Sequence, residues 1–425
     1  MKAHVLYGVN DLRYEDVNKP VPKQGEVLLK VENVGICGSD IPRIYETGAH
    51  RHPLIPGHEF AGTICEAGAG VEEEFRKNSN LRNESINNDH DEHKKYNESK
   101  ESVHVENPES KESEYAGNPE SIIGRRVGVF PLIPCGECVP CRNRQYEMCR
   151  NYNYLGSRCD GGFAEYVCVP VKNLIELPDN VSFEDAAMLE PTAVGAHAMR
   201  RMFAEELSVG VSKNNDIIDI PGSDIHKGNK KDGNLRNKSI AVIGLGTIGL
   251  LLTMHLIGNG AEKIYVVGNK EFQREKALGL GIKPENYCDG NKENAGRWLL
   301  EKTAGMGMDA IFECVGKNET YAQAIEAAAP SGKVMLLGNP ASDMRLDKNV
   351  YWKILRNQLQ VFGTWNSSFT GDEDDDWHYV VDKLAKGEIH PSNLISHRLS
   401  LSELEKGLHI MKDKTEDYVK IMIKP

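Results

Sequence analysis

Apolar positions along the chain change period from one stretch to the next. Ser239–Ile243, Lys263–Val267, Met308–Phe312 and Lys333–Leu337 are short runs of β-branched and aliphatic residues, and longer stretches of helical period separate them. That alternation predicts βαβ units and a parallel, doubly wound sheet, hence an α/β fold class. Upstream, residues 122–204 carry shorter β-rich runs, among them Val127–Phe130 and Phe163–Val169. A helical pattern then runs from Glu184 through Ala186, Leu189, Val194 and Ala198. The chain therefore reads as a parallel α/β unit joined to a second, β-rich one, as its 425 residues suggest.

Two segments break this pattern. Residues 72–120 are rich in Glu, Asn, Ser and Lys with almost no large aliphatics, and Asn107-Pro-Glu-Ser110 recurs as Asn118-Pro-Glu-Ser121. Residues 205–237 are dense in Lys, Asn, Asp and Gly. Such compositions bury too little apolar surface to offset the entropy of ordering, so both read as loosely ordered insertions. The net charge is −12, from 51 basic against 63 acidic side chains, and no basic stripe stands out; nucleic acid is excluded as an expected partner. No apolar run reaches the roughly 18 residues that a membrane span needs. The first residues, Met1 to Val17, lack the charged start and apolar core of an export signal. A cytoplasmic protein without a membrane partner is expected.

The strand Ile240–Ile243 leads into Gly244-Leu-Gly246-Thr247-Ile248-Gly249, a GxGxxG in strand-to-helix context. Gly244 permits the tight turn, Gly246 the approach of a pyrophosphate, and Gly249 the packing of helix on sheet. Thr247 and Ile248 open the helix whose N-terminus meets the phosphates. These six positions predict a Rossmann dinucleotide site. At the tip of the next strand, an acid would hydrogen-bond the ribose 2′-OH of NAD and repel a 2′-phosphate. The chain instead reads Gly268-Asn269-Lys270, which predicts NADP, with NAD as the alternative.

Four of the ten cysteines, Cys135, Cys138, Cys141 and Cys149, fall within 15 residues. In a chain expected to sit in a reducing compartment this spacing suits a closed, all-cysteine structural zinc site. An iron–sulfur cluster also takes four cysteines, but nothing else here points to electron transfer. A second set is dispersed: Cys37 in Gly35-Ile-Cys-Gly-Ser39-Asp40, His58 and Glu59 in Pro56-Gly-His-Glu-Phe60, and Glu190 in Met188-Leu-Glu-Pro191. Singly, each is as compatible with core or surface as with function. Jointly, a thiolate, an imidazole and a carboxylate can hold Zn²⁺ and leave a coordination position open.

These strings, with Asp160-Gly-Gly-Phe-Ala-Glu165, resemble the zinc-dependent medium-chain alcohol dehydrogenases. Glu190-Pro191 is similar to the polyol branch of that family. The stretch Cys37–His50, Pro131-Leu-Ile-Pro-Cys135, Tyr154-Leu-Gly-Ser-Arg158 and Gly363-Thr-Trp365 are most similar to the members acting on galactitol 1-phosphate. The resemblance spans residues 1–71, 122–204 and 238–425. It implies a GroES-like zinc catalytic domain over 1–193, a Rossmann domain over 194–354 and a return to the catalytic domain over 355–425. It further implies two zinc ions: one catalytic, on Cys37, His58 and Glu190 with Glu59 as alternative or outer ligand, and one structural, on the four clustered cysteines. Ser39 would pass the substrate proton and Asp40 orient the zinc ligands.

The implied reaction moves hydride between a polyol or polyol phosphate (galactitol 1-phosphate to tagatose 6-phosphate) and a nicotinamide cofactor, in a homodimer or homotetramer. A phosphorylated substrate needs cations. Arg43, His50, Arg51 and His52 follow the Cys37 string and Arg158 follows the four-cysteine loop; of these, Arg43 is expected to face the substrate. Alternatives are a sorbitol, L-iditol or 2,3-butanediol dehydrogenase, or a non-catalytic nucleotide-binding protein, for which the open Cys37/His58/Glu190 set would have no use.

Overall fold

A computed structural model of the chain describes residues 1–73, 75, 121–208, 235–340 and 342–425. Most of the expected insertions at 72–120 and 205–237 lies outside these residues. The second begins later than its composition suggests: Ala204–Ser208 is helical, with Glu206 bound to Lys333 Nζ at 3.1 Å.

The parallel sheet has six strands in the order Tyr287–Asp289, Lys263–Gly268, Ser239–Ile243, Met308–Glu313, Ala328–Leu336 and Gln360–Gly363. Every neighbouring pair is parallel. The order reverses between Ser239–Ile243 and Met308–Glu313, which places a ligand crevice at the carboxyl ends of these two strands. Ile240 to Ile243 are all buried because helices cover both faces of the sheet. The outermost strand, Gln360–Gly363, lies beyond the expected boundary at 354, so the dinucleotide domain extends at least to Gly363. As a largely exposed edge strand of four residues it carries no apolar run to announce it.

The second sheet is mainly antiparallel and runs Ile395–Ser400, Lys420–Lys424, Glu26–Ile36, Glu59–Ala67, Arg126–Val129 and Leu174–Glu176, with Tyr166–Pro170 on the first half of Glu26–Ile36. The chain thus leaves this sheet for the parallel one and returns at its end. Leu29, Val31, Val34, Phe60, Ile64, Val127, Leu408 and Ile421 form its core.

The helical pattern read from Glu184 is two helices, Phe183–Ala187 and Leu189–Met202, divided at Met188. Pro191 falls in the first turn of the second, where a missing N–H costs nothing. That second helix bridges the domains. It packs on Thr247–Gly258, where a Cβ at Gly195 would lie 3.2 Å from the Leu252 nitrogen, and on Asp376–Ala385. His197 Nδ1 and Arg200 Nη1 each hold Asp376 at 2.7 Å. His255, buried in the Thr247–Gly258 helix, sits with Nε2 3.0 Å from the Thr192 carbonyl oxygen and with Nδ1 unpartnered. The neutral tautomer donates from Nε2; a second proton would have no acceptor.

Burial therefore holds the His255 pKa down at about 4. The unfolded chain, with a histidine near 6.5, takes up that proton first as pH falls. Stability present above pH 6.5 is lost on the way down to pH 4, by about 3 kcal/mol from this group. Urea unfolding of the wild type and of His255→Gln across this range measures it: the variant should show a shallower acid loss, and superimposable profiles would contradict the assignment.

Candidate active site and metal centres

Three neighbouring strands of the catalytic sheet meet at one level. Gly35 is paired with Glu59 on one side and with Met422 on the other, and Ile36 with Ile421. This register brings Cys37, Glu59 and Lys420 together at the strand ends. Lys420 Nζ donates to Glu59 Oε1 at 2.8 Å and to the Ile36 carbonyl oxygen at 3.2 Å, with Lys420 and Glu59 side chains 3% and 1% exposed. A Cβ at position 35 would lie 2.3 Å from Glu59 Oε2, so only glycine admits the carboxylate there.

Cys37, His58 and Glu59 present ligand atoms within 4.8 Å of one another. Asp40, fully buried, organises this group: Oδ2 accepts from the Cys37 backbone N–H at 3.0 Å, and Oδ1 pairs with Arg43 and stands 3.5 Å from His58 Nδ1. With Nδ1 turned to Asp40, Nε2 is the nitrogen free to act as a ligand. Burial alone would lower the His58 pKa, but the Asp40 carboxylate and Cys37 hold it well above its ordinary value. Asp40 is held below its own, against burial, chiefly by His58 and then by Arg43.

Glu190 lies outside the three-residue group. Tyr154 Oη donates to Glu190 Oε1 at 3.2 Å, and the Tyr154 ring meets His58 edge-on at 5.8 Å. Burial, and then Glu59, raises the Glu190 carboxyl pKa. Ser39 Oγ, at the exposed rim, is 3.4 Å from Cys37 Sγ.

The residues fit a divalent cation. Cys37, Asp40, Glu59 and Glu190 are four groups able to carry negative charge, and Lys420 and Arg43 are the basic side chains bonded among them. Burial demands near-neutrality. A doubly charged ion among a thiolate, an imidazole and a carboxylate restores it, and that donor set suits zinc.

The four-cysteine loop closes as expected. Sγ–Sγ separations are 3.4 Å for Cys138–Cys141 and 3.9 Å for both Cys135–Cys141 and Cys138–Cys149, and all four thiols are free of disulfides. A tetrahedron with metal–sulfur bonds of about 2.3 Å has edges of about 3.8 Å, which these separations match.

At the switch point, Gly244 has φ +98°, and a Cβ on Gly249 would lie 1.9 Å from the Gly244 carbonyl oxygen, which is why helix and turn pack so closely. Gly246 is open above, with nothing within 4 Å of its added Cβ, leaving room for a phosphate. Ile248 follows in the first helical turn. The Thr247 hydroxyl donates instead to the Val419 carbonyl oxygen, at 2.6 Å. Gly268 lies under the Tyr287 hydroxyl, 2.9 Å from its added Cβ. The Asn269 N–H donates to Gln273 Oε1 at 3.1 Å, and Lys270 Nζ sits over the Phe272 ring at 5.2 Å.

The remaining predicted cations are largely engaged. Arg43 is bound to Asp40 with its side chain 15% exposed, Arg51 pairs with Asp160, and Arg158 stacks on Tyr152 at 4.3 Å. Sequence reading passed over Lys420 and the role of Tyr154. A lysine inside the apolar run Val419–Ile423 was the available signal for the first; nothing local distinguished the second.

A β-rich sheet carrying a Cys–His–Glu centre, a four-thiol lobe and a glycine-turn Rossmann sheet together define a zinc-type, nicotinamide-dependent dehydrogenase. Two family models match: an alcohol dehydrogenase GroES-like domain over residues 23–79 and 113–179, and a zinc-binding dehydrogenase domain over 247–386. The chain belongs to the zinc-type alcohol dehydrogenase family and is an NAD(P)-dependent oxidoreductase. It is 28% identical over 398 residues to galactitol 1-phosphate 5-dehydrogenase of Escherichia coli K12, covering 93% of this chain and 91% of the relative. Its fold is similar to that of galactitol-1-phosphate dehydrogenase from Escherichia coli, with TM-score 0.75 and 26% identity over the whole of both chains. It is also similar to 2R,3R-butanediol dehydrogenase from Bacillus subtilis, with TM-score 0.70 and 25% identity over 100% of this chain and 99% of the other. The expected family, fold class and enzyme class are borne out. Among the described residues no helix is long and apolar enough to cross a membrane.

Replacing Lys420 with Met leaves the Glu59 carboxylate buried without its cation, at a cost of about 3–5 kcal/mol. Denaturant unfolding should show that loss for Lys420→Met and recover much of it in Lys420→Met/Glu59→Gln. An unchanged midpoint for the single variant would show that the pair is not what holds these strand ends.

Proposed function

We propose that this enzyme oxidises a polyol phosphate of the galactitol 1-phosphate type to the ketose phosphate, with NADP⁺ as the preferred acceptor. The observation that carries the reading is the convergence of half-buried Cys37 and buried His58 and Glu59 with the exposed Ser39 hydroxyl. Cys37, His58 and either Glu59 or Glu190 would hold a zinc ion that, when bound, would supply Lewis acidity to a substrate hydroxyl, as a bound nicotinamide would supply the hydride acceptor. The chain's own groups do the rest. Asp40 fixes the Cys37 backbone and faces His58, setting both donors. Ser39 Oγ, at the rim, carries the alcohol proton outward.

Arg43 commits one guanidinium nitrogen to Asp40 and keeps further N–H groups for a phosphate. Gly268, Asn269 and Lys270 offer the adenosine end no carboxylate, which supports NADP⁺. A second reading, a free polyol or vicinal diol as substrate, draws support from the engagement of Arg43 by Asp40 and of Arg158 by Tyr152. Homodimerisation through the Gln360–Gly363 edge is supported by its exposed Val361 and the exposed Tyr351, Trp352 and Leu355 of the adjoining helix.

Nicotinamide reduction with galactitol 1-phosphate and with sorbitol, each with NADP⁺ and NAD⁺, tests the reading. The phosphate ester should have the higher kcat/KM, and Arg43→Ala should lower that preference by about tenfold, one charge-assisted contact. Equal loss on both substrates would leave Arg43 as the support of Asp40 alone and favour the free-polyol reading. Lys270→Ala should reduce the preference for NADP⁺ over NAD⁺; a wild type that prefers NAD⁺ would overturn the cofactor assignment.

A further inference from the structure

The hydroxyl of Thr247 links two sites. Thr247 opens the helix behind Gly244-Leu-Gly246, yet its Oγ1 donates to a carbonyl 172 residues away, that of Val419, at 2.6 Å. Val419 is buried, and the segment around it is fixed from the other side. Its N–H donates to Ser396 Oγ at 3.2 Å, and Ser396 Oγ donates to the Lys420 carbonyl oxygen at 3.0 Å. The next residue, Lys420, grips Glu59, which belongs to the Cys37–His58–Glu59 group. Direct contacts therefore run from the first residue of the dinucleotide helix to the candidate metal ligands, through one side-chain hydrogen bond, one peptide and one buried ion pair.

We infer that Thr247 is a positioning residue that couples dinucleotide binding to the placement of Glu59. With Glu59 gripping Lys420, the Val419 carbonyl is held where it meets Thr247, and the helix end is set before a pyrophosphate arrives. Neutralising Glu59 removes one of the restraints on the Lys420 segment, beside those from Ser396 and Ile36, so the helix end is less well set when the dinucleotide binds, at the expense of affinity. Reciprocally, an occupied dinucleotide site steadies Glu59. The inference rests on the reading of residues 244–249 as the dinucleotide site and deepens it.

The test is a double-mutant cycle on the full, zinc-loaded chain, with NADPH and NADH binding followed by nicotinamide fluorescence. In the wild-type background Glu59→Gln should weaken binding by about fivefold or more, the scale of one hydrogen bond. In Thr247→Val the same change should have an effect of less than about twofold, because the link is already cut. Thr247→Ser keeps the hydroxyl and should restore the fivefold effect. Equal Glu59→Gln effects in both backgrounds, or a Ser variant that behaves as Val, would overturn the coupling while leaving the dinucleotide site in place. Failure of the wild type to bind either dinucleotide would overturn the site and the coupling together.

Discussion

The buried pair of Lys420 and Glu59 is the interaction on which the rest of the site depends. An ammonium and a carboxylate, each almost fully withdrawn from water, are tolerated only because they meet each other and the Ile36 carbonyl at close range. Their meeting requires a register in which Glu59 begins one strand, Lys420 begins another and Ile36 ends the strand between them. It requires glycine at position 35, since any Cβ there would occupy the space of the carboxylate. It also requires the chain to return after the whole parallel sheet, because Lys420 follows its last strand, Gln360–Gly363. The domain division and the chemistry thus share one constraint.

What was legible in the sequence follows from what is local. The glycine turn at Gly244–Gly249 announces itself because each glycine answers a steric demand within a few residues. The four clustered cysteines do so because a tetrahedral thiolate site is built within a single loop. The strands Ser239–Ile243 and Met308–Glu313 were readable as buried apolar runs covered on both faces. Gln360–Gly363 was not, because an edge strand half in water keeps no such run. Lys420 was missed for a different reason. Its partner is 361 residues away, and only the strand register joins them. The same holds for the contact of Tyr154 with the predicted ligand Glu190, made through tertiary packing alone.

The bridging helix Leu189–Met202 joins the two domains by contacts to both. It begins with Glu190 at the metal side, lays Gly195 against the dinucleotide helix, and ends with Arg200 tied to Asp376. The Thr192 carbonyl near its start takes the His255 proton, so the same helix is bonded to the dinucleotide domain from within. Positioning of hydride donor against acceptor is most of what such a protein contributes to the reaction, and a misplacement of about 1 Å can cost about a hundredfold. The helix and the Thr247–Val419 bond are two independent fixtures that hold the spacing.

A pairing of two zinc centres of different character follows from the donor sets, one closed by four thiols and one open at Cys37, His58 and Glu59. Elemental analysis of the purified protein tests it most directly, on the wild type, on Cys37→Ser and on Cys141→Ser. The wild type should carry about two zinc equivalents and each folded variant about one, with Cys37→Ser keeping the thermal stability that Cys141→Ser loses. A Cys37→Ser protein that retains both equivalents would contradict it.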